Sequence, residues 1–274
     1  MDELNELVSF NAKGYVDKIK NWVKVETNMG INIIYLNIRG IRTNFNSLLT
    51  YLGQCKNNIH IIVLVEVKIS EALLKKGSVM LEWFDIKVYR LERKLRESGR
   101  GGGIFVYIKK EWMSEERELK TKHFEACCHR VTMSEEKKKE LNIVAVYRRP
   151  HKKENKMEFT AELGKKVKQL DDGESLIVVG DFNINLNRKS KYSEAMKDLI
   201  SAHALVRGVY VNTREEWHGG KLKGSCIDNI LIKEKGYLQN KSMEAVVIKA
   251  KISDHYMLGL NISENLMDGE NKKK

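Results

Sequence analysis

Proline is nearly missing: Pro150 is the single one in 274 residues. That excludes a proline-rich linker or a polyproline recognition segment, and Pro150 is expected to close a strand. No stretch of 18 apolar residues occurs, which excludes a membrane-spanning helix. The opening MDELNELVSF is acidic and lacks the apolar stretch of a secretory signal, so none is expected. Cysteine is sparse. Cys55, Cys127, Cys128 and Cys226 lack metal-ligand spacing, and two are adjacent. Free thiols in reducing, intracellular surroundings are expected rather than a disulfide framework. Repeats and low-complexity stretches are absent too, so a solenoid is excluded.

What is present is a hydrophobic fraction of 42%, too high for a disordered chain and enough for one large core. Lys and Arg total 49 against 37 Asp and Glu, a formal charge of +12. Such a balance favours an anionic partner, nucleic acid ahead of an acidic membrane surface.

Residues 1–26 carry apolar side chains at Leu4, Leu7, Val8, Tyr15, Val16, Ile19, Trp22 and Val23, a roughly helical spacing. It predicts a helical leader over 1–30. Strand-like runs follow at Ile31–Ile38, His60–Val67, Ile86–Tyr89 and Gly103–Ile108. The continuous apolar run of His60–Val67 reads as a strand buried on both faces. Glu125–Met133 and Asn142–Tyr147 flank a charged loop as a hairpin would. Leu176–Val179, Ile227–Ile232, Glu244–Ile248 and Tyr256–Asn261 close the set. Helices are expected at Asn46–Cys55, Glu158–Leu170 and Glu194–Ala202. Many short strands, few helices and no linker predict one α/β (α+β) domain over 31–262. Its expected form is two mixed sheets packed face to face with helices outside, a four-layered sandwich. A polar, Lys-rich tail occupies 263–274.

Polar residues stand at the ends of these apolar runs: Asn37, Glu66, Asp181 with Asn183, Asp228, and Asp254 with His255. Glu66 is the most telling. A carboxylate in an apolar run is costly unless paired or metal-bound. Carboxylates gathered on one rim of a sandwich make an oxygen-rich site for a hard divalent cation.

Eight segments, in order, resemble the endonuclease/exonuclease/phosphatase superfamily, in the branch carried by non-LTR (LINE-type, insect-like) retrotransposons. They are Leu36-Asn37-Ile38-Arg39-Gly40, Ile62-Val63-Leu64-Val65-Glu66, Gly101-Gly102-Gly103-Ile104-Phe105-Val106-Tyr107, Val146-Tyr147-Arg148-Arg149-Pro150, Gly180-Asp181-Phe182-Asn183, Asn212-Thr213-Arg214, Ser225-Cys226-Ile227-Asp228-Asn229-Ile230-Leu231 and Ser253-Asp254-His255-Tyr256. The resemblance implies a deoxyribonuclease I-like fold and a Mg²⁺-dependent DNA endonuclease, with Mn²⁺ as a substitute. The enzyme would nick DNA and leave a 3′-hydroxyl in the nucleus. It also implies that the reverse transcriptase domain of a parent element is absent from this chain. Two departures stand out: Val65-Glu66-Val67-Lys68 replaces Thr-Glu-Thr-Trp, and Tyr147-Arg148-Arg149-Pro150 replaces Tyr-Arg-Pro-Pro. The two valines would weaken support of the metal glutamate.

Carried onto matching positions, the family's roles make Glu66 the metal ligand, assisted by Asn37 and Asp254. Asp181 would orient or deprotonate the attacking water, and Asn183 would hydrogen-bond the phosphoryl group. His255 would donate to a phosphate oxygen, with Asp228 fixing its tautomer and raising its pKa. Tyr147 would contact the phosphate as phenol or phenolate. Thr213 and Ser253 would support as donors. DNA contacts are expected from Arg100, in a basic loop before the glycine turn, and from Arg148, Arg149, Arg188 and Lys189, next to the catalytic segments. Trp217, Lys221 and Lys223 are expected on a hairpin tip, where Trp217 would stack on a base, wedge a step, or cap the hairpin as an apolar lid. Two other classes fit the same residues. One is an abasic-site or other nuclease of the superfamily, and the other is a non-catalytic nucleic-acid-binding relic.

Overall fold

The computed structural model describes residues 10–16, 30–99, 101–134, 139–150 and 156–264. Strand β1 spans Phe10–Val16, β2 Ile31–Asn37 and helix α1 Ile41–Leu52. Then come β3 (Ile61–Val65), the short α2 (Glu71–Lys75), β4 (Tyr89–Lys94), β5 (Ile104–Lys109) and β6 (Met113–Glu116). The middle of the chain forms β7 (Glu125–Ser134), β8 (Lys139–Tyr147), α3 (Lys156–Gln169), β9 (Ser175–Asp181) and α4 (Lys191–Ala202). The remainder is β10 (Val206–Arg207), β11 (Arg214–His218), β12 (Lys221–Ser225), β13 (Asp228–Lys233), β14 (Lys241–Ile248) and β15 (Met257–Glu264).

Two mixed sheets stack face to face. One runs β1-β14-β15-β2-β3-β5-β4 and the other β10-β13-β9-β8-β7-β6; β11 and β12 form a separate hairpin. Each sheet is built on one parallel pair joined through a helix. β2 and β3 are parallel across α1, and β8 and β9 are parallel across α3. Both pairs are apolar runs buried on both faces, which parallel strands covered by helices require. Alternation then sorts side chains to two sides. Ile33, Tyr35, Val63, Val65, Ile143, Ala145, Ile177 and Val179 meet between the sheets. Ile34, Leu36, Ile62 and Leu64 face α1, whose Ile41, Phe45, Leu48 and Leu52 cover them. Val144, Val146, Leu176 and Val178 face Phe159, Leu163 and Val167 of α3 and Met196 of α4. The chain is thus a four-layered α/β sandwich, as the residue pattern predicts.

The N-terminal leader is corrected by the structure. Phe10–Val16 is a strand, added parallel to the outer edge of β14, not a helix. An open sheet edge offers unpaired backbone groups, and pairing there overrides a weak local periodicity. The rest of 1–29 and the Lys-rich tail beyond residue 264 lie outside the described residues. Among the described residues no helix is long and apolar enough to cross a membrane. The four cysteines are free.

Because both parallel pairs run the same way past the core, their carboxyl ends deliver chemistry to one rim. Asn37 ends β2, Glu66 follows β3, Tyr147 ends β8 and Asp181 ends β9. Antiparallel β13 begins on that rim with Asp228 paired to Asp181. Gly180 makes the tight fit possible. A Cβ there would lie 2.0 Å from the carbonyl oxygen of Val146.

Candidate active site

Asn37 is fully buried, and its amide nitrogen joins the two sheets. Nδ2 donates to Glu66 Oε2 at 3.1 Å and to Asp181 Oδ2 at 3.0 Å. Its Oδ1 accepts the backbone N–H of Arg39 at 3.1 Å. Asn37 therefore bridges two carboxylates. Its nitrogen, and not its oxygen, faces the two acids.

Glu66 sits one residue beyond β3 at φ +56°, and Lys68 at φ +59°. Two left-handed residues around buried Val67 turn the chain out of the sheet and aim both side chains at the cleft. The glycine segment props this turn: Val67 N–H donates to the carbonyl of Gly103 and Lys68 N–H to that of Gly102. Gly103 (φ +85°) leaves no room for a Cβ, which would come within 2.7 Å of Val67 Cγ2. Val65 and Val67 thus act by packing in this chain.

Asp181 is buried. Its Oδ1 accepts the backbone N–H of Asn183 at 2.9 Å. Burial, then the neighbouring Asp228 charge, pushes its carboxyl up to about 7, against the pull of His255 and the two hydrogen bonds. Asp228 is also fully buried. Its Oδ1 accepts Tyr35 Oη at 2.7 Å, and its Oδ2 accepts Thr213 Oγ1 at 2.8 Å and faces His255 Nδ1 at 2.9 Å. Burial disfavours the His255 imidazolium, but Asp228 and then Asp181 and Asp254 outweigh it and raise the imidazole to about 9. Tyr147 is buried and held well above the ordinary phenol range, first by burial and then by Glu66 and Asp181. Of the two forms left open, the phenol is the one present at neutral pH.

Thr213 and Ser253 act as supports. Thr213 Oγ1 also accepts the backbone N–H groups of Ile227 and Asp228. Ser253 Oγ donates to the carbonyl of Asn37 at 2.7 Å and accepts His255 N–H at 3.1 Å. Asp254, expected as a third metal ligand, lies between two arginines. Its Oδ2 lies 2.6 Å from Arg39 Nη1 and 2.8–2.9 Å from Arg214 Nη2 and Nε. Against partial burial, the His255 charge first and then Arg214 and Arg39 hold its carboxyl below the usual range.

Arg148 is a second correction. It is 1% exposed, so it cannot track a phosphate backbone. Its Nε donates to the carbonyl of Phe182 at 2.6 Å and its Nη2 to that of Asn183 at 2.8 Å, over the Phe159 ring. Asn183 (φ +49°) returns an amide hydrogen to the Arg148 carbonyl at 2.6 Å. This exchange fixes the Asp181-Phe182-Asn183 turn. Arg149 is half-buried, and Arg188, Lys189, Lys221 and Lys223 are exposed; Arg100 lies outside the described residues. Trp217 is 76% exposed and pairs across the hairpin with exposed Leu222. The hairpin is rooted in the site: Arg214 pairs with His255, and Tyr256 N–H donates to the Thr213 carbonyl.

Sequence reasoning missed Tyr35, Arg39, Lys68 and Arg214. Tyr35 had a visible signal, lying two residues before Asn37 on the same face of a strand. The partners of Arg39 and Arg214 are set by tertiary contact and left no local trace.

A hard divalent cation takes oxygen donors, including one or two carboxylates. Glu66, coupled through Asn37 to Asp181, fits that demand. Asp181, Asp228 and His255 also bring ligand-type atoms within 4.8 Å of one another. In that cluster Asp228 already accepts three hydrogen bonds, and His255 carries its proton at neutral pH. A metal would need the imidazole neutral, so the trio suits proton handling better.

Acid, amide and imidazole thus share one rim of two packed sheets. The sequence profile of the endonuclease/exonuclease/phosphatase family matches residues 34–255, and the chain belongs to that family, whose members cleave phosphodiester or phosphate bonds. No curated protein sequence matches. Among solved structures the chain is similar to the endonuclease domain of TRAS1, a telomere-specific non-LTR retrotransposon. That match has 14% identity, a TM-score of 0.63, and covers 85% of this chain and 98% of that one. It is also similar to the AP endonuclease LMAP from Leishmania major (11% identity, TM-score 0.67, 93% of each chain). A third is D. rerio TDP2 complexed with a single-strand DNA product (14%, TM-score 0.60, 85% and 99%).

Proposed function

We propose that this protein is a divalent-metal-dependent DNA endonuclease of the retrotransposon type, which nicks one strand and leaves a 3′-hydroxyl. One observation carries the reading. Glu66, Asn37, Asp181, Asp228 and His255, scattered over two sheets, stand on one rim, the first three joined through the Asn37 amide and the last two through a 2.9 Å contact. The net charge of +12 and a hairpin with an exposed Trp217 beside the site favour DNA over a small phosphate ester. The similarity to the TRAS1 domain points the same way.

In this reading Asp181, with its proton affinity near neutrality, takes the proton of the attacking water. The water oxygen bonds to phosphorus as the bond to the 3′-oxygen breaks, and the 3′-oxygen leaves to gain a solvent proton. His255, protonated and oriented by Asp228, offers its Nε2 to a phosphate oxygen, and the Tyr147 phenol donates to another. Asn183 keeps one amide hydrogen for the phosphoryl group. Mg²⁺ or Mn²⁺ at Glu66 would neutralise charge on the phosphate and leaving oxygens. Nuclear action follows from a chromosomal target.

An abasic-site nuclease is the second reading, favoured by the similarity to an AP endonuclease along 93% of both chains. Supercoiled plasmid and an abasic-site duplex, each with Mg²⁺ or with EDTA, separate the two. Plasmid nicking that needs Mg²⁺ and is lost in Glu66→Ala and His255→Ala supports the first. Cleavage confined to the abasic duplex supports the second, and binding without cleavage overturns both.

A further inference from the structure

The carboxylate expected to receive the metal already faces a cation from its own chain. Asn37 occupies Glu66 Oε2, and the other oxygen, Oε1, lies 3.2 Å from Lys68 Nζ and 4.0 Å from Arg39 Nε. Arg39 is committed elsewhere, with its Nη1 on Asp254. Lys68 is the nearer group, and its placement is built in. Residues 66 and 68 are both left-handed, so their side chains rise on one side while Val67 goes into the core. Backbone bonds to Gly102 and Gly103 hold that turn. The Lys68 stem passes over Gly40, where a Cβ would be 3.5 Å from Lys68 Cδ.

We infer that Lys68 sets the divalent-cation affinity of Glu66 by competing for Oε1, so that metal binding must displace the ammonium. This rests on the metal-dependent reading above. An oxygen-bound Mg²⁺ or Mn²⁺ sits roughly 2.1 Å from its ligand. The ammonium would then lie within about 5 Å of a double positive charge. Repulsion at that distance in water-like surroundings weakens binding roughly tenfold. Both side chains reach solvent, Lys68 at 38% and Glu66 at 14%, so the effect shrinks as salt rises.

The test is Mn²⁺ titration of the whole chain without DNA, following free Mn²⁺ by electron paramagnetic resonance at low and high salt. Wild type is compared with Lys68→Gln, Lys68→Arg and Glu66→Gln, with thermal melts as a check on folding. Lys68→Gln should bind Mn²⁺ roughly tenfold tighter at low salt, with a smaller gain at high salt. Lys68→Arg should bind as wild type does, and Glu66→Gln should lose the site. If Glu66→Gln loses binding but Lys68→Gln binds equally or more weakly, the competition is refuted while the metal reading stands. If Glu66→Gln binds as wild type does, or no variant binds Mn²⁺, both fail together.

Discussion

Replacing Asp228 by Asn should uncouple the protonation of His255 from the fold. Asp228 accepts Tyr35 and Thr213 hydroxyls and faces His255 Nδ1, all with the carboxylate wholly buried. Against burial, Asp228 first and then Asp181 and Asp254 raise His255 from its ordinary 6.5 to about 9. That difference is worth about 3 kcal/mol of folding free energy. Because the folded value is the higher one, the stabilisation is fully present below pH 6.5 and is lost as pH rises through about 9. Asp181 titrates in a lower window, between 3.8 and about 7, so only the end of its titration overlaps the alkaline limb. In the Asn variant the largest influence raising His255 is gone and burial is opposed only by Asp181 and Asp254, so its pKa should fall well below 9. Urea unfolding at pH 6.5 and 9.5 should show wild type about 3 kcal/mol more stable than the variant at the lower pH, with most of the gap gone at the higher. NMR of the His255 ring should follow the same titration. Nicking should drop by about 10²–10⁴-fold at neutral pH. An unchanged stability gap across that range, or a wild-type imidazole titrating near 6.5, would refute the reasoning.

Nicking rate should trace a bell. It should rise as Asp181 ionises through about pH 7 and fall as His255 deprotonates through about 9, read by plasmid relaxation at saturating metal. Gly180→Ala should destabilise by about 2 kcal/mol or more, measured by thermal melting, because its Cβ meets the Val146 carbonyl. Trp217→Ala should leave the melt within about 0.5 kcal/mol of wild type while weakening DNA binding in a filter or anisotropy assay. Arg148→Met should cost about 2–4 kcal/mol and slow nicking, since the Asp181 turn loses its anchors.

Much of this protein is written locally. Apolar runs such as Ile61–Val65 and Leu176–Val179 carry their burial in their composition, and the intervening helices in their periodicity, so the sandwich was legible. The polar residues that end those runs were legible as well, because a charge beside a buried strand needs a reason. Pairings across long stretches of chain were not. Asn37 reaches Asp181 across 144 positions and Tyr35 reaches Asp228 across 193. Only the stacking of two sheets brings them together. The same holds where expectation failed. Arg148 looks like any basic surface residue until the loop after β9 folds over it. Residues 10–16 look helical until an open sheet edge supplies better partners. Local sequence sets which side chains prefer burial and which backbone shape each segment prefers. Which buried acid meets which cation depends on distances that exist only after the layers have packed.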